Sequence, residues 1–425
     1  MRILIVNKFL YPNGGSETYI FGLGRGLQAL GHEVQYFGME HEGRIVSNRV
    51  QSYTEDIEFH GAGMAQKLTY PAKIIYSKEA RRKIRLVLED FQPDAVHLNN
   101  INYQITPSVI DEIRAWNPSC RIVYTAHDAQ WVCPCHMLRI PSTGEFCTRC
   151  IDGAYINCMK NRCIHNSRAR SLFGTLEAEY YKKRGTYRLV DTIICPSEFM
   201  NRMLSHNPQL KGRTVTLHNF YENKGALQDD AGTEKELLDR GISKRGYVIY
   251  FGRFSQEKGV HTLLQVCRDN PDIPFVFAGR GELEDEVNVL SGANVTNMGF
   301  CSGGRMQSLI RNAAFTVLPS EWGENCPYSV MESQMNGTPV VGTAIGGIPE
   351  LISDGVTGLL CRPFDRAALT DRIKSLWYNK NLQNELQKNC VLVSAGRGAI
   401  HYDTLSEYCG KMLKIYRGES VSGQS

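Results

Sequence analysis

The chain is dominated by a repeating alternation. A short apolar run is followed by a longer stretch of helical periodicity, and then by another apolar run. The first run, Arg2-Ile-Leu-Ile-Val-Asn7, is apolar at consecutive positions, as in a parallel strand buried on both faces. A polar loop with Gly14-Gly15 follows, and then a helical stretch from about Ser16 to Leu30 that Gly31-His32 stops. Further strands are expected at Glu33–Phe37, Asp94–Leu98, Arg121–Thr125 and Thr192–Cys195. Residues 219–245 are polar and read as a linker. A second alternation then has strands expected at Tyr247–Phe251, Ile273–Ala278, Val295–Met298, Phe315–Leu318 and Pro339–Gly342. Such βα order builds doubly wound parallel sheets. The fold class is therefore α/β, with two Rossmann-like domains in tandem. The boundaries are 1–218, 219–400, and a tail 401–425 whose amphipathic stretch Thr404–Tyr416 is expected to pack back on the first domain.

Length agrees with this division, because 425 residues exceed what one hydrophobic core usually holds. A hydrophobic content of 42% excludes a disordered chain, and the glycines show no collagen period. No apolar run reaches the roughly 18 residues of a membrane-spanning helix. The apolar stretch before Lys8 is too short for a signal peptide, so a cytoplasmic location is expected. Charge is uneven: up to residue 220 there are 27 Lys/Arg against 20 Asp/Glu, and beyond it 21 against 24. Gly22-Leu-Gly24-Arg-Gly26 mimics a dinucleotide fingerprint, but its spacing is wrong and it falls inside a helix, which argues against a dehydrogenase.

The most specific pattern lies in the second half. Pro319-Ser-Glu-Trp-Gly-Glu324-Asn-Cys-Pro-Tyr-Ser329-Val-Met-Glu332 follows an apolar strand and runs into a helix. Seven residues separate Glu324 from Glu332, so one carboxylate in the loop and one on the helix can serve a single ligand. Carboxylates accept hydrogen bonds from sugar and ribose hydroxyls. Ser329 and its neighbours offer backbone N–H groups at the helix start, where a phosphate binds readily. Gly252-Arg253-Phe-Ser-Gln-Glu-Lys258-Gly259 puts two cations at a strand exit, suited to a diphosphate whose negative charge grows as it departs. Taken singly, each feature has a bland reading: surface cations, solvated glutamates, tight glycine turns, or a structural histidine at 127.

Together these residues resemble a retaining glycosyltransferase of family 4, with the GT-B fold. The spaced glutamates match its E-x7-E motif, Arg253 and Lys258 its paired diphosphate ligands, and Gly346-Gly347-Ile-Pro-Glu350 the segment that follows. In the first half, Gly14-Gly15-Ser-Glu17 is similar to the family's glycine-rich loop, and Ala126-His127-Asp128 to its histidine after a strand. The match runs in order along nearly the whole chain. The resemblance implies two domains facing each other across a cleft. It also implies a donor diphosphate held by Arg253 and Lys258, donor-sugar hydroxyls bound by Glu324, and a nucleotide ribose bound by Glu332. Gly14 and Gly15 would bring backbone near the phosphate, and His127 would orient the donor sugar. No catalytic metal is expected, and the leaving phosphate itself would take the acceptor's proton. Asn325-Cys326-Pro327 departs from the Phe-Gly common after the first glutamate, so donor identity does not carry over.

Six of the fourteen cysteines fall between Cys133 and Cys163. The two-residue gap between Cys147 and Cys150 is a zinc-knuckle half-site, and four thiolates suit a closed structural zinc. Free thiols and disulfides are the alternatives, the latter disfavoured without a secretory signal. Some family 4 sequences carry a similar cysteine-rich insertion, here about 131–166. That resemblance selects Cys133, Cys147, Cys150 and Cys163 as ligands, with Cys135 and Cys158 as additional thiols.

Between Lys67 and Phe91, the residues Lys73, Lys78, Arg81, Arg82, Lys83 and Arg85 share a helix with an apolar stripe at 80, 84, 87, 88 and 91. A core-facing helix with a solvated basic face is the plain reading. An anionic membrane surface is the sharper one. Nothing indicates a nucleic-acid partner. The expected function is transfer of a sugar from a nucleotide diphosphate-sugar donor to a carbohydrate or lipid-linked glycan acceptor, in surface polysaccharide assembly. The rivals are a nucleotide-sugar epimerase, a phosphorylase, or a non-catalytic zinc-containing binding protein. A glycogen-type phosphorylase needs a pyridoxal-phosphate lysine that the sequence does not offer.

Overall fold

The computed structural model describes residues 1–55, 74–222, 231–292 and 294–421. The chain forms two compact units. One comprises Met1–Asn219 with Leu405–Ser425, and the other Phe220–Thr404.

The first unit is built on a six-stranded parallel sheet of order β2-β1-β3-β4-β5-β6. Its strands are β1 (Arg2–Val6), β2 (Glu33–Phe37), β3 (Ala95–Leu98), β4 (Arg121–Thr125), β5 (Thr192–Cys195) and β6 (Thr214–Thr216). Ile3 to Val6 and Ala95 to Leu98 are buried throughout, as a sheet covered by helices on both faces requires. β6 has no apolar run, and its Thr-Val-Thr is only half-buried. The helix after β1 runs Gly15–Ala29. Its glycines are packing residues, because a Cβ on Gly24 would lie 1.7 Å from the Tyr36 hydroxyl and one on Gly26 2.6 Å from Cys409 Sγ. The C-terminal helix Leu405–Tyr416 belongs to this unit. It hydrogen-bonds into the unit through Tyr408 Oη to Tyr19 Oη (2.9 Å) and Tyr416 Oη to His97 Nδ1 (2.7 Å).

The basic helix is shorter than its sequence pattern predicts. It spans Lys78–Phe91, with Ser77 Oγ accepting from the Ala80 N–H as its cap. Lys67 and Lys73 lie outside the described residues. The stripe at 80, 84, 87, 88 and 91 is buried. Two of the cations are not on a solvated face: Arg81 and Arg85 both bind the buried Glu112 carboxylate, at 2.5 and 2.6 Å. Lys78 and Arg82 are exposed and Lys83 is half-buried, and the same helix also exposes Glu89 and Asp90.

Residues 131–166 join the core of the first unit. Trp131 is sandwiched between Tyr124 (3.6 Å between centroids) and Tyr187 (4.3 Å). Beside this stack Glu177 is fully buried and accepts a hydrogen bond from Asn102 Nδ2 at 2.8 Å. Burial pushes its carboxyl up to about 8, and the Asn102 bond only partly offsets this. Between the ordinary value of 4.5 and about 8, the native chain keeps a proton that the unfolded chain has lost. Stability therefore falls as pH rises through that window and levels off above it. Glu177→Gln removes the titration, so melting curves from pH 5 to pH 8 should show the variant losing less stability than wild type. Parallel pH profiles would contradict this.

The second unit repeats the plan with sheet order β12-β11-β10-β7-β8-β9. Its strands are β7 (Val248–Arg253), β8 (Phe275–Arg280), β9 (Val295–Asn297), β10 (Phe315–Leu318), β11 (Val340–Thr343) and β12 (Gly358–Cys361). β12 has no counterpart among the strands expected from the sequence, which end at Pro339–Gly342. Its Gly358 sits so close to β11 that a Cβ would be 2.1 Å from the Val340 carbonyl oxygen. The presumed linker also contains structure, a helix at Ala231–Asp239. Among the described residues, no helix is long and apolar enough to cross a membrane.

Strand order fixes where a ligand can sit. In the second unit, successive connections from β7 run one way to β8 and β9, while β10 to β12 lie on the other side. The crevice beyond the carboxyl ends of β7 and β10 is therefore the topological switch point, the usual ligand position of such sheets. In the first unit the corresponding point lies between β1 and β3.

Candidate active site

The β7–β10 crevice gathers residues that lie far apart in sequence. β7 ends at Arg253, whose side chain is exposed. A single 3-10 turn, Gln256–Lys258, follows. Lys258 Nζ then donates to Glu324 Oε1 at 2.6 Å, across 66 positions of sequence. Ser320 Oγ donates to the same oxygen at 2.7 Å. The ammonium also sits 5.2 Å from the Trp322 ring centroid, within cation–π reach.

Glycines hold this geometry. Gly259 adopts φ +71°, and a Cβ there would lie 1.9 Å from the Pro319 carbonyl oxygen, so only glycine lets the Lys258 turn touch the end of β10. Gly346, at φ +64°, lies against the Glu324 backbone. The adjacent Gly347 N–H donates to the Glu324 carbonyl at 2.7 Å. The Gly346-Gly347 turn thus clamps the loop that carries the carboxylate.

Glu324 is buried, which alone would raise its pKa. The Lys258 charge and the hydrogen bonds from Lys258 and Ser320 outweigh burial and leave it below the ordinary carboxylate value. It is an ionised acceptor, preformed for hydroxyl donors. Glu332 is half-buried on the helix Tyr328–Met335, which starts after Pro327 with no side-chain cap. Ser329 is the second residue of that helix, so its N–H belongs to the first turn, which has no intrahelical acceptors.

Sequence reading passes over one cation here. Parallel register pairs Arg253 with Arg280 at the end of β8, and both are exposed. Two exposed arginines at paired positions of neighbouring strands put positive charge at this sheet edge, suited to a polyanion. Arg280 carries no distinctive motif, and only strand pairing places it beside Arg253.

In the first unit the exits of β1, β3 and β4 meet around His127. His127 Nε2 lies 2.9 Å from Asn99 Oδ1, a bond that puts the proton on Nε2. Its ring packs edge-on against Tyr19, 5.0 Å between centroids. Burial drives its pKa down to about 3, so it is a neutral hydrogen-bonding group and not a cation at ordinary pH. Gly14 precedes the helix, and the buried Glu17 accepts from Asn7 Nδ2 and Ser16 Oγ, both at 2.9 Å. Glu17 therefore braces the Gly14-Gly15 loop onto the end of β1.

The cysteines group differently from their spacing. The Cys133 and Cys135 sulfurs are 3.4 Å apart, although the sequence sets Cys135 aside as an additional thiol. Cys147 is half-exposed.

The family models divide at the same place as the structural units. Residues 13–222 match the model described as Glycosyltransferase Family 4, and residues 235–390 that of Glycosyl transferases group 1. The chain belongs to the family 4 type of glycosyltransferases. Among curated relatives, the alpha-D-kanosaminyltransferase of Streptomyces kanamyceticus is 31% identical over 201 residues, covering 44% of this chain and 50% of that protein. The chain spans about half the length of the curated relatives it matches. Sucrose-phosphate synthase from Thermosynechococcus elongatus is similar in structure, with a TM-score of 0.71, 16% identity and 98% coverage of both chains. Anabaena HepE, solved with UDP and glucose, gives a TM-score of 0.67 at 15% identity, covering 98% of this chain and all of that one. Such identities carry the fold alone, and that fold is GT-B: two Rossmann-like units, here each with a six-stranded parallel sheet.

Proposed function

We propose that this family 4 chain is a retaining glycosyltransferase. It moves a sugar from a nucleotide diphosphate-sugar to a carbohydrate or lipid-linked glycan acceptor in surface-polysaccharide assembly. The observation that carries this reading is the Lys258–Glu324 pair at the β7–β10 switch point, with Arg253 at the same strand exit. The UDP and glucose held by HepE, on the same fold, support a donor of this class.

In this reading the bond between the sugar's anomeric carbon and the diphosphate oxygen breaks while the acceptor hydroxyl attacks on the same face. The acceptor's proton passes to the departing phosphate, so no protein base is needed. Arg253 and Lys258 neutralise the charge that grows on the diphosphate, the most effective place for fixed cations. Ionised Glu324 accepts hydrogen bonds from sugar hydroxyls, and Glu332 serves the ribose. Arg280 adds positive potential at the rim.

A panel of UDP-, GDP- and ADP-sugars tests the proposal by thermal shift and nucleotide release. One donor should stabilise the protein selectively, by about 2.7 kcal/mol when present at roughly 100 times its dissociation constant. Nucleotide release should then depend on an acceptor. Conversion of the donor sugar with no acceptor present would favour an epimerase. Stabilisation by none of the panel would sink the reading.

A further inference from the structure

The C-terminal helix Leu405–Tyr416 sends two tyrosine hydroxyls into the core of the first unit, and a side chain that receives one of them packs against His127. Tyr408 Oη lies 2.9 Å from Tyr19 Oη, which lies 3.2 Å from Thr125 Oγ1. Thr125 Oγ1 lies 2.7 Å from His97 Nε2, and His97 Nδ1 lies 2.7 Å from Tyr416 Oη. One hydrogen-bonded chain thus leaves the helix at Tyr408, crosses β4 and β3, and returns to it at Tyr416. All its members are buried. We propose that this chain makes the C-terminal helix a positioning element for His127, with Tyr19 and Tyr408 as the positioning residues, on the transferase reading above in which His127 orients the donor sugar.

His127 is held on two sides. Asn99 Nδ2 donates to the Val6 and His97 carbonyls, at 3.2 and 3.3 Å, which turns its Oδ1 toward the imidazole. His127 Nε2 donates to that oxygen at 2.9 Å, and this sets the tautomer. The second side is the Tyr19 ring, edge-on at 5.0 Å between centroids and 71° between planes. The Asn99 bond fixes one ring nitrogen but lets the ring rock about it, and the Tyr19 ring blocks that motion. His127 is itself only half-buried, so the ring held in this way still presents a surface to a ligand.

The position of Tyr19 depends in turn on the C-terminal helix. That helix packs closely on the helix carrying Tyr19, because a Cβ on Gly26 would lie 2.6 Å from Cys409 Sγ and 2.8 Å from Leu405 Cγ. Burial keeps His97 neutral, so one ring nitrogen donates and the other accepts, and its bonds to Tyr416 and Thr125 hold each other in place. Satisfied buried networks of this kind rigidify what they join. A phenylalanine at 408 would fill the same space, and the hydroxyl adds a fixed direction. A site formed at the strand ends of the first unit is therefore completed by a helix 389 positions further along the chain.

NMR of the full chain labelled with 15N-histidine reads the placement of the ring directly. The His127 Nε2–H signal, assigned by its loss in His127→Ala, should move and broaden in Tyr408→Phe. It should stay in place in Lys414→Ala, whose side chain is exposed on the same helix. Turnover of the donor found by the panel supplies the second readout. Tyr408→Phe should lower kcat about tenfold with donor affinity unchanged, less than the roughly 10²-fold of a 1 Å displacement. In a His127→Ala background the same substitution should cost little more, because residues that act as one unit are not additive. Tyr19→Phe keeps the ring and loses both of its bonds, so it should repeat these results and serves if Tyr408→Phe misfolds. An unmoved His127 signal in both phenylalanine variants, or an equal fold-loss of kcat with and without His127, would overturn the proposal. Donor binding keeps this outcome apart from the transferase reading. A chain that no donor stabilises fails as a transferase, whereas one that binds donor and keeps the wild-type kcat in His127→Ala fails only here.

Discussion

Arg253→Ala should slow donor turnover by about 10²-fold while leaving melting temperature unchanged, and the Arg253→Ala/Lys258→Ala double variant should lose about 10³-fold or more. Arg253 is exposed and has no ion pair among the described residues, so its removal tests chemistry without disturbing the fold. Lys258 differs, because its ammonium neutralises a carboxylate that is only 6% exposed. Removing one partner of a buried pair strands the other, at about 3–5 kcal/mol in known cases. The double variant is therefore read together with its melting curve. Lys258→Ala/Glu324→Gln serves as the control that removes both charges. The informative split is between turnover and donor affinity. Cations that act on the departing diphosphate lower kcat far more than they weaken donor binding. Equal losses in both would mean that they merely hold the donor. Unchanged turnover in the double variant would end the proposed mechanism.

Gly346→Ala should be nearly as damaging, although residue 346 offers no side chain to any ligand. Its φ of +64° disfavours a Cβ by about 1–2 kcal/mol. The larger cost is steric, because that Cβ would lie 2.2 Å from the Glu324 carbonyl oxygen and 2.6 Å from its nitrogen. The Glu324 loop must move to make room, and a displacement of about 1 Å at a reacting centre costs roughly 10²-fold in rate. Donor affinity should fall as well, because Glu324 is then no longer held against Lys258 and Ser320. Gly355→Ala is the matched control, since Gly355 also has positive φ (+75°) but a Cβ there meets nothing within 4 Å. If Gly346→Ala and Gly355→Ala behave alike, backbone strain alone explains the effect and the clamp has no catalytic role.

Much of the fold is legible in the sequence because a parallel sheet covered on both faces needs uninterrupted apolar runs. β1, β4, β5, β7 and β10 have them. β6 does not: Thr214–Thr216 at the sheet edge is only half-buried, so nothing forces it to be apolar. β12 is hidden because Gly358 and the turn before it look like punctuation. There glycine is demanded by close approach to β11, which sequence cannot distinguish from a bend.

The site is legible in part. Glu324, Glu332, Arg253 and Lys258 stand out through a spaced motif, and the structure brings Lys258 and Glu324 into contact. Arg280 escapes notice because its relation to Arg253 exists only in strand register. The reading of the basic helix overestimates its outward charge, since Glu112, on another helix, takes up Arg81 and Arg85. Cysteine spacing singles out Cys147 and Cys150, whereas the sulfur–sulfur contact in the fold is between Cys133 and Cys135.

In the proposed function a nucleotide diphosphate-sugar binds beyond the carboxyl ends of β7 and β10. Hydrogen–deuterium exchange, with and without the donor found by the panel, tests it most directly. Protection should concentrate in residues 252–259, 319–332 and 344–350, which carry Arg253, Lys258, Glu324, Ser329 and the Gly346 clamp. Donor-dependent protection that leaves these three segments unchanged would contradict the account.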